Sequence, residues 1–311
     1  MSDADIILHH YPRSPFAEKI RLALGVKGLR WHAVEQPRVA PKPWLTALTG
    51  GYRRIPVMQI GADVYCDTRC ILAELERRHP SPTLHPASSA GQAEMMAAWA
   101  DRQLFADALG LVFGLHGERF PPELHADRAR LTDGKFDRWD SVRMKARVPD
   151  LRVQFGLHLG WLERALADGR PYVAGAELSV ADLSAYHPLW YARGNLGEEA
   201  GLERYPAVLA WLARLDAIGH GTAEPMTPQM ALTIARDRFP ATPPPPDDAG
   251  AFRLGMRLTV TPDDWGFEPV EGELVAIDRA SVTLRRDGAP AGIVHVHFPR
   301  DGFTIRPAIG Q

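Results

Sequence analysis

The first 83 residues alternate short apolar runs with a helical spacing of apolar side chains. The run Ile6-Ile7-Leu8 predicts a buried strand, and apolar side chains recur from Phe16 to Leu24 at i, i+4, i+7 and i+8, on one face of a helix. Further extended runs lie at Trp31 to Val34, Val57 to Ile60 and Val64 to Tyr65, and a helix starts near Asp67 and stops by Pro80. This order, βαβ followed by ββα, predicts a first domain over residues 1–83.

Residues 91–220 show helical periodicity only. Apolar stripes persist for several turns at Leu151, Phe155, Leu159, Leu162 and Leu166, and again at Val208, Trp211, Leu212, Leu215 and Ile218. Between the stripes, Ser179 and Asp182 have the spacing of a helix capping box, so their predicted role is structural. The sequence therefore predicts an all-helical bundle domain over 91–220.

Residues 221–250 differ from both flanks. They contain one possible short helix at Pro228 to Arg238, then the proline-rich stretch Pro240 to Pro246, which favours an extended conformation and marks a domain boundary. Beyond this linker the apolar period becomes two, as at Leu258 and Val260, and the turn residues Asp287-Gly288 separate two such runs. We expect a small β-barrel domain of about five strands in residues 251–311.

Length and composition fit a globular chain of two or three domains. The protein has 311 residues, of which 45% are hydrophobic and 24% charged. With only Cys66 and Cys70, neither a disulfide framework nor a four-cysteine zinc site can form. The acidic start MSDADII is unlike a signal peptide, and no apolar run is long enough to cross a membrane, so we expect a cytoplasmic protein.

Charge is unevenly distributed along the chain. The net charge of -2 favours neither nucleic acid nor an anionic membrane, but residues 1–83 hold 12 Lys or Arg against 8 Asp or Glu and could favour a small anion. In the β-domain, acidic residues crowd one connection and oppose contact with phosphates: Asp263, Asp264, Glu268, Glu271 and Glu273. His295 and His297 share a strand face there, but no third ligand completes a metal site.

Ser14 stands where the first predicted strand passes into the first helix. Because Pro15 follows it, Ser14 makes a good N-cap, and capping alone would account for it. The same position lies at the positive end of a helix dipole and at the carboxyl edge of a sheet, where thiolates and other anions are stabilised. From the residues alone both interpretations stay open.

Two later motifs also have a structural and a binding interpretation. Pro56 could simply start a strand, whereas a cis Ile55-Pro56 bond would turn the backbone of Ile55 outward to pair with an extended ligand. Asp67 or Thr68 can cap the next helix, and free N–H groups with a hydroxyl can hold a carboxylate there. The sequence does not choose between these alternatives.

Taken together, the order and spacing of these motifs resemble the glutathione S-transferase family over roughly residues 5–220. Ser14-Pro15-Phe16-Ala17 is similar to the omega-class Cys-Pro-Phe-Ala with Ser in place of Cys, and to the tau-class Ser-Pro-Phe. Ile55-Pro56-Val57 resembles the family's Val-Pro-Val, whose proline is cis. Asp67-Thr68-Arg69-Cys70-Ile71 resembles its Glu-Ser-Arg-Ala-Ile, and Ser179 with Asp182 resembles its capping box.

The resemblance implies a thioredoxin-like domain that binds glutathione and an α-helical domain that completes a second, apolar site. Ser14 would be catalytic, donating a hydrogen bond to the glutathione thiolate; such a donor at a helix N-terminus lowers a thiol pKa from about 8.5 toward neutral. Ile55, beside Pro56, would pair with the cysteinyl backbone, while Asp67 and Thr68 would hold the γ-glutamyl end. A basic contact would come from among Arg38, Lys42, Arg53 and Arg54, with Arg54 as the candidate.

Candidates for binding the second substrate are Tyr11, Phe16, Trp99 and Arg102, with Met96 and Phe105 near them in the pattern. Most of them could equally belong to the core, but an arginine among apolar residues needs a partner. We expect a homodimeric transferase that uses glutathione as co-substrate, needs no metal, and acts on a small apolar electrophile. Ser in place of the omega-class Cys predicts that no mixed disulfide forms at position 14.

Two other functions remain open. A glutathione-dependent isomerase or disulfide reductase would use the same activated thiolate. A binding or scaffold protein with the same fold would have weak or no catalysis, and its C-terminal β-domain would recruit a partner or ligand. The hydroxyl at Ser14 favours an enzyme, whereas the appended β-domain favours a binder.

Overall fold

A computed structural model describes residues 6–133, 137–247 and 250–308. Residues 1–5, whose acidic side chains supported the predicted cytoplasmic location, lie outside the described residues. The N-terminal domain follows the expected order, with one additional short helix that begins at Pro43. Its elements are β1 (Ile7–His10), α1 (Pro15–Val26), β2 (Arg30–Glu35), α2 (Pro43–Thr49), β3 (Val57–Ile60), β4 (Asp63–Cys66) and α3 (Thr68–Arg78). β1 pairs parallel with β2 and antiparallel with β3, which pairs antiparallel with β4.

The second domain is a helical bundle. Its helices are α4 (Ala90–Trp99), α5 (Phe105–His116), α6 (Pro122–Thr132), α7 (Ser141–Leu166), α8 (Val180–Leu196) and α9 (Pro206–Asp216), and a π-helical segment (Ala100–Leu104) joins α4 to α5. The capping box predicted at Ser179 and Asp182 is confirmed, since the Asp182 carboxylate accepts the Ser179 N–H at 2.9 Å. The same carboxylate accepts the Trp211 indole N–H at 2.9 Å, which fixes the start of α8 against α9.

The linker crosses the N-terminal sheet. β5 (Thr222–Pro225) pairs parallel with β2, and α10 (Pro228–Arg236) supplies the helix that the sequence predicted in this region. The Gln59 side chain of β3 donates to the Ala231 carbonyl of α10 at 2.8 Å. After α10 the chain reaches β4, where the Ala241 N–H donates to Asp63 at 2.8 Å. β5, α10 and Ala241 therefore attach the linker to the first domain.

The C-terminal residues form a β-domain of five strands: β6 (Arg257–Pro262), β7 (Val270–Ile277), β8 (Ser281–Gly288), β9 (Gly292–Pro299) and β10 (Phe303–Pro307). β6 to β9 pair antiparallel in sequence order. β10 begins four residues after β9 ends, yet it pairs with β6 on the far side, so the five strands must curl as in a barrel. The expected fold class is confirmed: a thioredoxin-like domain, a helical domain and an additional β-domain.

The β-domain is joined to the first domain more closely than the linker boundary led us to expect. β9 pairs parallel with β4, so that all ten described strands form one sheet in the order β10-β6-β7-β8-β9-β4-β3-β1-β2-β5. The His297 imidazole lies 2.8 Å from the Asp63 carboxylate and stacks on Tyr65 with ring centroids 4.3 Å apart. The physical reason is the exposed edge of β4, whose backbone groups need partners.

The two domains also share an apolar core. Leu45, Leu48 and Val64 of the first domain belong to the same buried cluster as Leu284 and Phe298 of the β-domain. No helix in the described residues is long and apolar enough to cross a membrane. A shared sheet and a shared core predict that the two domains unfold together.

We therefore predict that Phe298→Ala, which empties a fully buried site beside Tyr52 and Phe303, lowers the free energy of unfolding by about 3–5 kcal/mol in a single cooperative transition. The measurement is calorimetry together with hydrogen exchange of the β3–β4 and β8–β9 amides. Phe239→Ala is the matched control, because that ring is 85% exposed. Two separate transitions, with the β3–β4 amides unaffected, would contradict the shared core.

Candidate functional site

Ser14 lies at the end of β1 and caps α1. Its Oγ accepts the Ala17 N–H at 3.2 Å, and Pro15 occupies the first helical position. Because the hydrogen bond from the Ala17 N–H uses a lone pair of Oγ, the hydroxyl proton of Ser14 is free to be donated elsewhere. The residue is only 2% exposed, but it lines a cleft at the positive end of α1. This geometry suits donation to an anion in the cleft.

The Ile55-Pro56 bond is cis, and Ile55 lines the same cleft as Ser14. β3 starts at Val57, so the backbone of Ile55 lies outside the ladder between β3 and its neighbours. Tyr11 and Phe16, both candidates for the second substrate, also line the cleft. The structure thus brings together Ser14, Ile55 and two of the four proposed substrate residues.

Asp67 and Thr68 line an adjoining pocket, which shares Phe16, Arg54 and Ile55 with the first. Asp67 caps α3 by accepting the Arg69 N–H at 3.0 Å. Its φ of 73° is a conformation that few residues other than glycine adopt, and such strain is often found at ligand sites. Burial raises the pKa of the Asp67 carboxyl, although the hydrogen bond from the Arg69 N–H lowers it.

A buried ionic network lies behind this pocket. The Lys19 ammonium is 2.7 Å from Asp101 and donates to the Thr68 hydroxyl at 3.4 Å, while His187 lies 3.0 Å from the other Asp101 oxygen. Although burial opposes ionisation, Lys19 and His187 hold the pKa of Asp101 well below its usual range. Asp101 sits in the π-helical segment, a distortion that is frequent at functional sites. The network fixes the orientation of Thr68.

The C-terminal β-domain supplies one wall of both pockets, which sequence reasoning did not foresee. The Arg54 guanidinium lies 3.9 Å from the centre of the Trp265 ring and 2.5 Å from Asp264. Trp265 in turn contacts Trp139 of the helical domain, with ring centroids 5.2 Å apart. The Gly266 N–H donates to the Leu131 carbonyl at the end of α6 at 2.7 Å. The β6–β7 loop therefore bridges the other two domains above the cleft.

A second connection of the β-domain borders the Asp67 pocket. Asp301, in the β9–β10 turn, forms an ion pair with Arg69 and lies 3.7 Å from Arg102. Arg102, predicted to bind the second substrate, thus lines the pocket of Asp67 and Thr68 rather than the cleft of Ser14. Because the Arg102 side chain is 56% exposed, it does not need the partner that a buried arginine would require, and its nearest carboxylate is the exposed Asp301 of the β-domain.

Trp99 lies away from both pockets. Its ring packs against His158 and Trp161 of α7, with centroids 5.3 and 5.9 Å apart. Met96 packs on the bundle core, whereas Phe105 lines the Ser14 cleft. Cys66 and Cys70 are buried, which raises the pKa of both thiols well above the usual value. Within the described ranges no cluster of three or more His, Cys, Asp or Glu could hold a metal.

The cleft around Ser14 is lined by more basic residues than the sequence analysis assigned. They are Arg13, Arg38, Lys42, Arg53, Arg54 and Arg128. Lys42 is almost fully buried, and its ammonium donates to the Arg53 carbonyl at 3.2 Å. Burial and, next, the Arg128 and Arg53 cations lower the pKa of Lys42 to about 7. Arg128, from α6, gave no signal in the sequence because its role depends on the packing of α6 against the first domain.

Comparisons with known proteins agree with this geometry. The N-terminal domain model of glutathione S-transferases matches residues 8–83, and the C-terminal domain model matches residues 145–214. A GST-like protein from Pseudomonas syringae, known from its crystal structure, is 38% identical, and the alignment covers 99% of this chain and 100% of that one with a TM-score of 0.80. The chain belongs to the glutathione S-transferase family. Because the alignment is nearly full length, it includes the β-domain.

Other members of the glutathione S-transferase family match a smaller part of the chain. A glutathione S-transferase structure from Rhodospirillum rubrum is 23% identical with a TM-score of 0.54, over 68% of this chain and 88% of that one, and shows the shared fold alone. FtsZ-localized protein A of Caulobacter vibrioides is 28% identical over 185 residues, which are 57% of this chain and 73% of that protein. The similarities therefore include one protein whose name describes localisation rather than catalysis.

We predict that Lys42→Met stabilises the protein at pH 7. Unfolded Lys42 binds a proton below about pH 10, whereas folded Lys42 binds one only below about pH 7, so the wild type loses stability as the pH falls from about 10 to 7. At about 1.4 kcal/mol per pKa unit, we expect a gain of about 2 kcal/mol or more at pH 7, which shrinks toward pH 10. The measurement is urea unfolding at both pH values.

Lys145→Met is the matched control, since the Lys145 side chain is 75% exposed. It should leave the stability nearly unchanged at either pH. A Lys42→Met variant that is less stable than the wild type at pH 7 would contradict the proposed burial of a cation.

Proposed function

We propose that the protein is a glutathione transferase in which Ser14 stabilises the glutathione thiolate for transfer to a small electrophile. The observation that carries this proposal is the arrangement, around two adjoining pockets, of the groups whose motifs resemble those of the family. Ser14 and Ile55 line the first, Ile55, Asp67 and Thr68 line the second, and a free hydroxyl proton is available at the helix N-terminus. Membership of the family supports glutathione as the co-substrate.

In the proposed complex, glutathione extends across both pockets. Its cysteinyl backbone pairs with Ile55 beside the cis proline, and its γ-glutamyl end lies between Asp67, Thr68 and the N-terminus of α3. The Asp67 carboxylate suits the γ-glutamyl ammonium. The glycine carboxylate lies toward the basic side of the first cleft, where Lys42 and Arg54 are available.

The chemistry requires only that the thiolate be populated and held near the acceptor. Donation from Ser14 and the dipole of α1 both favour the charged sulfur over the thiol. The thiolate then attacks the electrophilic atom of the acceptor, and the leaving group departs with its electron pair. Because position 14 is Ser, no mixed disulfide with the enzyme forms in this scheme. The same thiolate would serve an isomerase or a disulfide reductase.

A binding or scaffold function is the second candidate, and the similarity to FtsZ-localized protein A favours it. Under this hypothesis the pockets are vestigial and the β-domain presents a partner surface. The two functions differ in whether glutathione binds with its sulfur ionised. We also propose a homodimer and a cytoplasmic location; membership of the family supports the former.

The prediction for Ser14 is loss of the thiolate without loss of binding. Calorimetric titration should give glutathione binding by both wild type and Ser14→Ala, and ultraviolet absorbance should detect bound thiolate near neutral pH in the wild type only. Ser14→Thr, which keeps the hydroxyl, should retain the thiolate. Turnover of a chloronitrobenzene should fall by about 10²-fold or more in Ser14→Ala.

Because Ser14 is also a helix cap, loss of the cap must be separated from loss of the donor. Thr227→Ala removes an equivalent cap on α10, where Oγ1 accepts the Met230 N–H at 3.2 Å away from both pockets. It should cost about 1 kcal/mol of stability and leave turnover unchanged. Absence of glutathione binding by the wild type would exclude the transferase and favour the scaffold function.

A further inference from the structure

The wall of the Ser14 cleft is cationic as well as aromatic. None of its described lining residues is acidic. Six basic side chains line it: Arg13, Arg38, Lys42, Arg53, Arg54 and Arg128. An apolar acceptor would need none of these charges. Carboxylates of the protein or anionic groups of a ligand must therefore neutralise these positive charges.

Part of this charge is neutralised within the protein. Arg53 and Arg128 share one buried carboxylate, Asp127, at 2.8 and 2.6 Å, and Arg53 also lies 3.9 Å from the Glu268 carboxylate, so that these four groups together are neutral. Arg54 is paired with Asp264. Within the described part of the chain, neither Arg13, Arg38 nor Lys42 has a carboxylate at ion-pair distance, and the buried Arg38 Nε has no hydrogen-bond partner. Arg13 and Arg38 therefore keep full unpaired charges, whereas Lys42, with its pKa lowered to about 7, is only partly charged at neutral pH.

Glutathione, bound as proposed, meets other groups of the protein. Its thiolate lies at Ser14 and its glycine carboxylate toward Lys42 and Arg54, while its γ-glutamyl end lies in the adjoining pocket. The unpaired Arg38 charge acts on the Tyr191 hydroxyl. Burial raises the pKa of Tyr191, although the Arg38 and Arg128 cations lower it. Tyr191 therefore stays protonated and can donate, like the two arginines, to an anion.

Aromatic rings flank the same groups. Arg128 lies over Trp139, with its guanidinium carbon 5.6 Å from the ring centre, and Trp139 meets Trp265 edge to face. Tyr11, Phe105 and Phe113 complete the apolar part of the lining. A planar ring can pack among these side chains while a charged substituent reaches Arg38, Arg128 and Tyr191.

We propose that the acceptor is an aromatic electrophile whose carboxylate is held by Arg38, Arg128 and Tyr191. This proposal rests on the proposed transferase function and replaces the expected apolar electrophile with an anionic one. For an aryl chloride, the thiol first gives its proton to solvent. The sulfur lone pair then forms the C–S bond, and chloride leaves with the electrons of the C–Cl bond.

Binding of a matched pair of unreactive ligands tests the proposal directly. Dinitrobenzoate and its methyl ester differ only in charge, and quenching of tryptophan fluorescence reports their binding to the glutathione-loaded protein. We expect the carboxylate to bind at least about tenfold more tightly than the ester, the effect of one charge-assisted hydrogen bond. Arg38→Gln should bring the ratio of the two affinities close to one.

Arg130→Gln is the matched control, because Arg130 is an exposed arginine on the same helix as Arg128 and does not line the cleft. It should keep the wild-type ratio. Equal or weaker binding of the carboxylate by the wild type would overturn the proposal, as would an Arg38→Gln variant that keeps the full preference.

Turnover separates failure of this proposal from failure of the proposed function. Chlorodinitrobenzoate and its methyl ester are assayed for the glutathione thioether. Faster turnover of the ester, after division by the uncatalysed rates, would overturn the anionic acceptor and leave the transferase intact. A carboxylate preference in binding with no thioether from either compound would support the anion site and contradict the transferase.

Discussion

The arrangement of the site depends on the parallel pairing of β9 with β4. Without it, β4 would be an edge strand with one row of unpaired backbone groups, which proteins rarely leave exposed. β9 supplies the partner, and Asp63 of β4 secures it through His297 and the linker N–H of Ala241. Once β9 is in place, the loops that precede and follow the β-domain strands have little freedom in where they lie.

Arg54 shows what this pairing provides. It follows α2, immediately before the cis Ile55-Pro56 pair, and its guanidinium is held between Trp265 and Asp264 of the β6–β7 loop. That loop is attached to the helical domain through Gly266 and Leu131. A Cβ at position 266 would lie 3.2 Å from both the Arg54 side chain and Leu131, so glycine allows the three domains to meet closely. The cleft is thus bounded by residues from the whole chain.

The elements built from local patterns could be predicted from the sequence. Ser14 before Pro15, the capping box at Ser179 and the alternation of apolar residues after residue 250 each predict structure within a few residues. β5 could not be predicted, because its backbone pairs with β2 along an exposed edge and its side chains bury little. The same holds for Trp265 and Arg128. Trp265 contacts Arg54, far away along the chain, and Arg128 donates to the Arg38 carbonyl, 90 positions away.

The central claim is that residues from all three domains form one glutathione site. Hydrogen–deuterium exchange with and without the unreactive ligand S-methylglutathione tests it most directly, because it reports each segment separately in the full-length protein. We predict that the ligand protects the segments around Ile55 and Asp67 and, equally, the β6–β7 loop around Trp265 and the β9–β10 turn around Asp301. Protection confined to residues 6–83 would contradict the claim and would reduce the β-domain to a neighbour of the site.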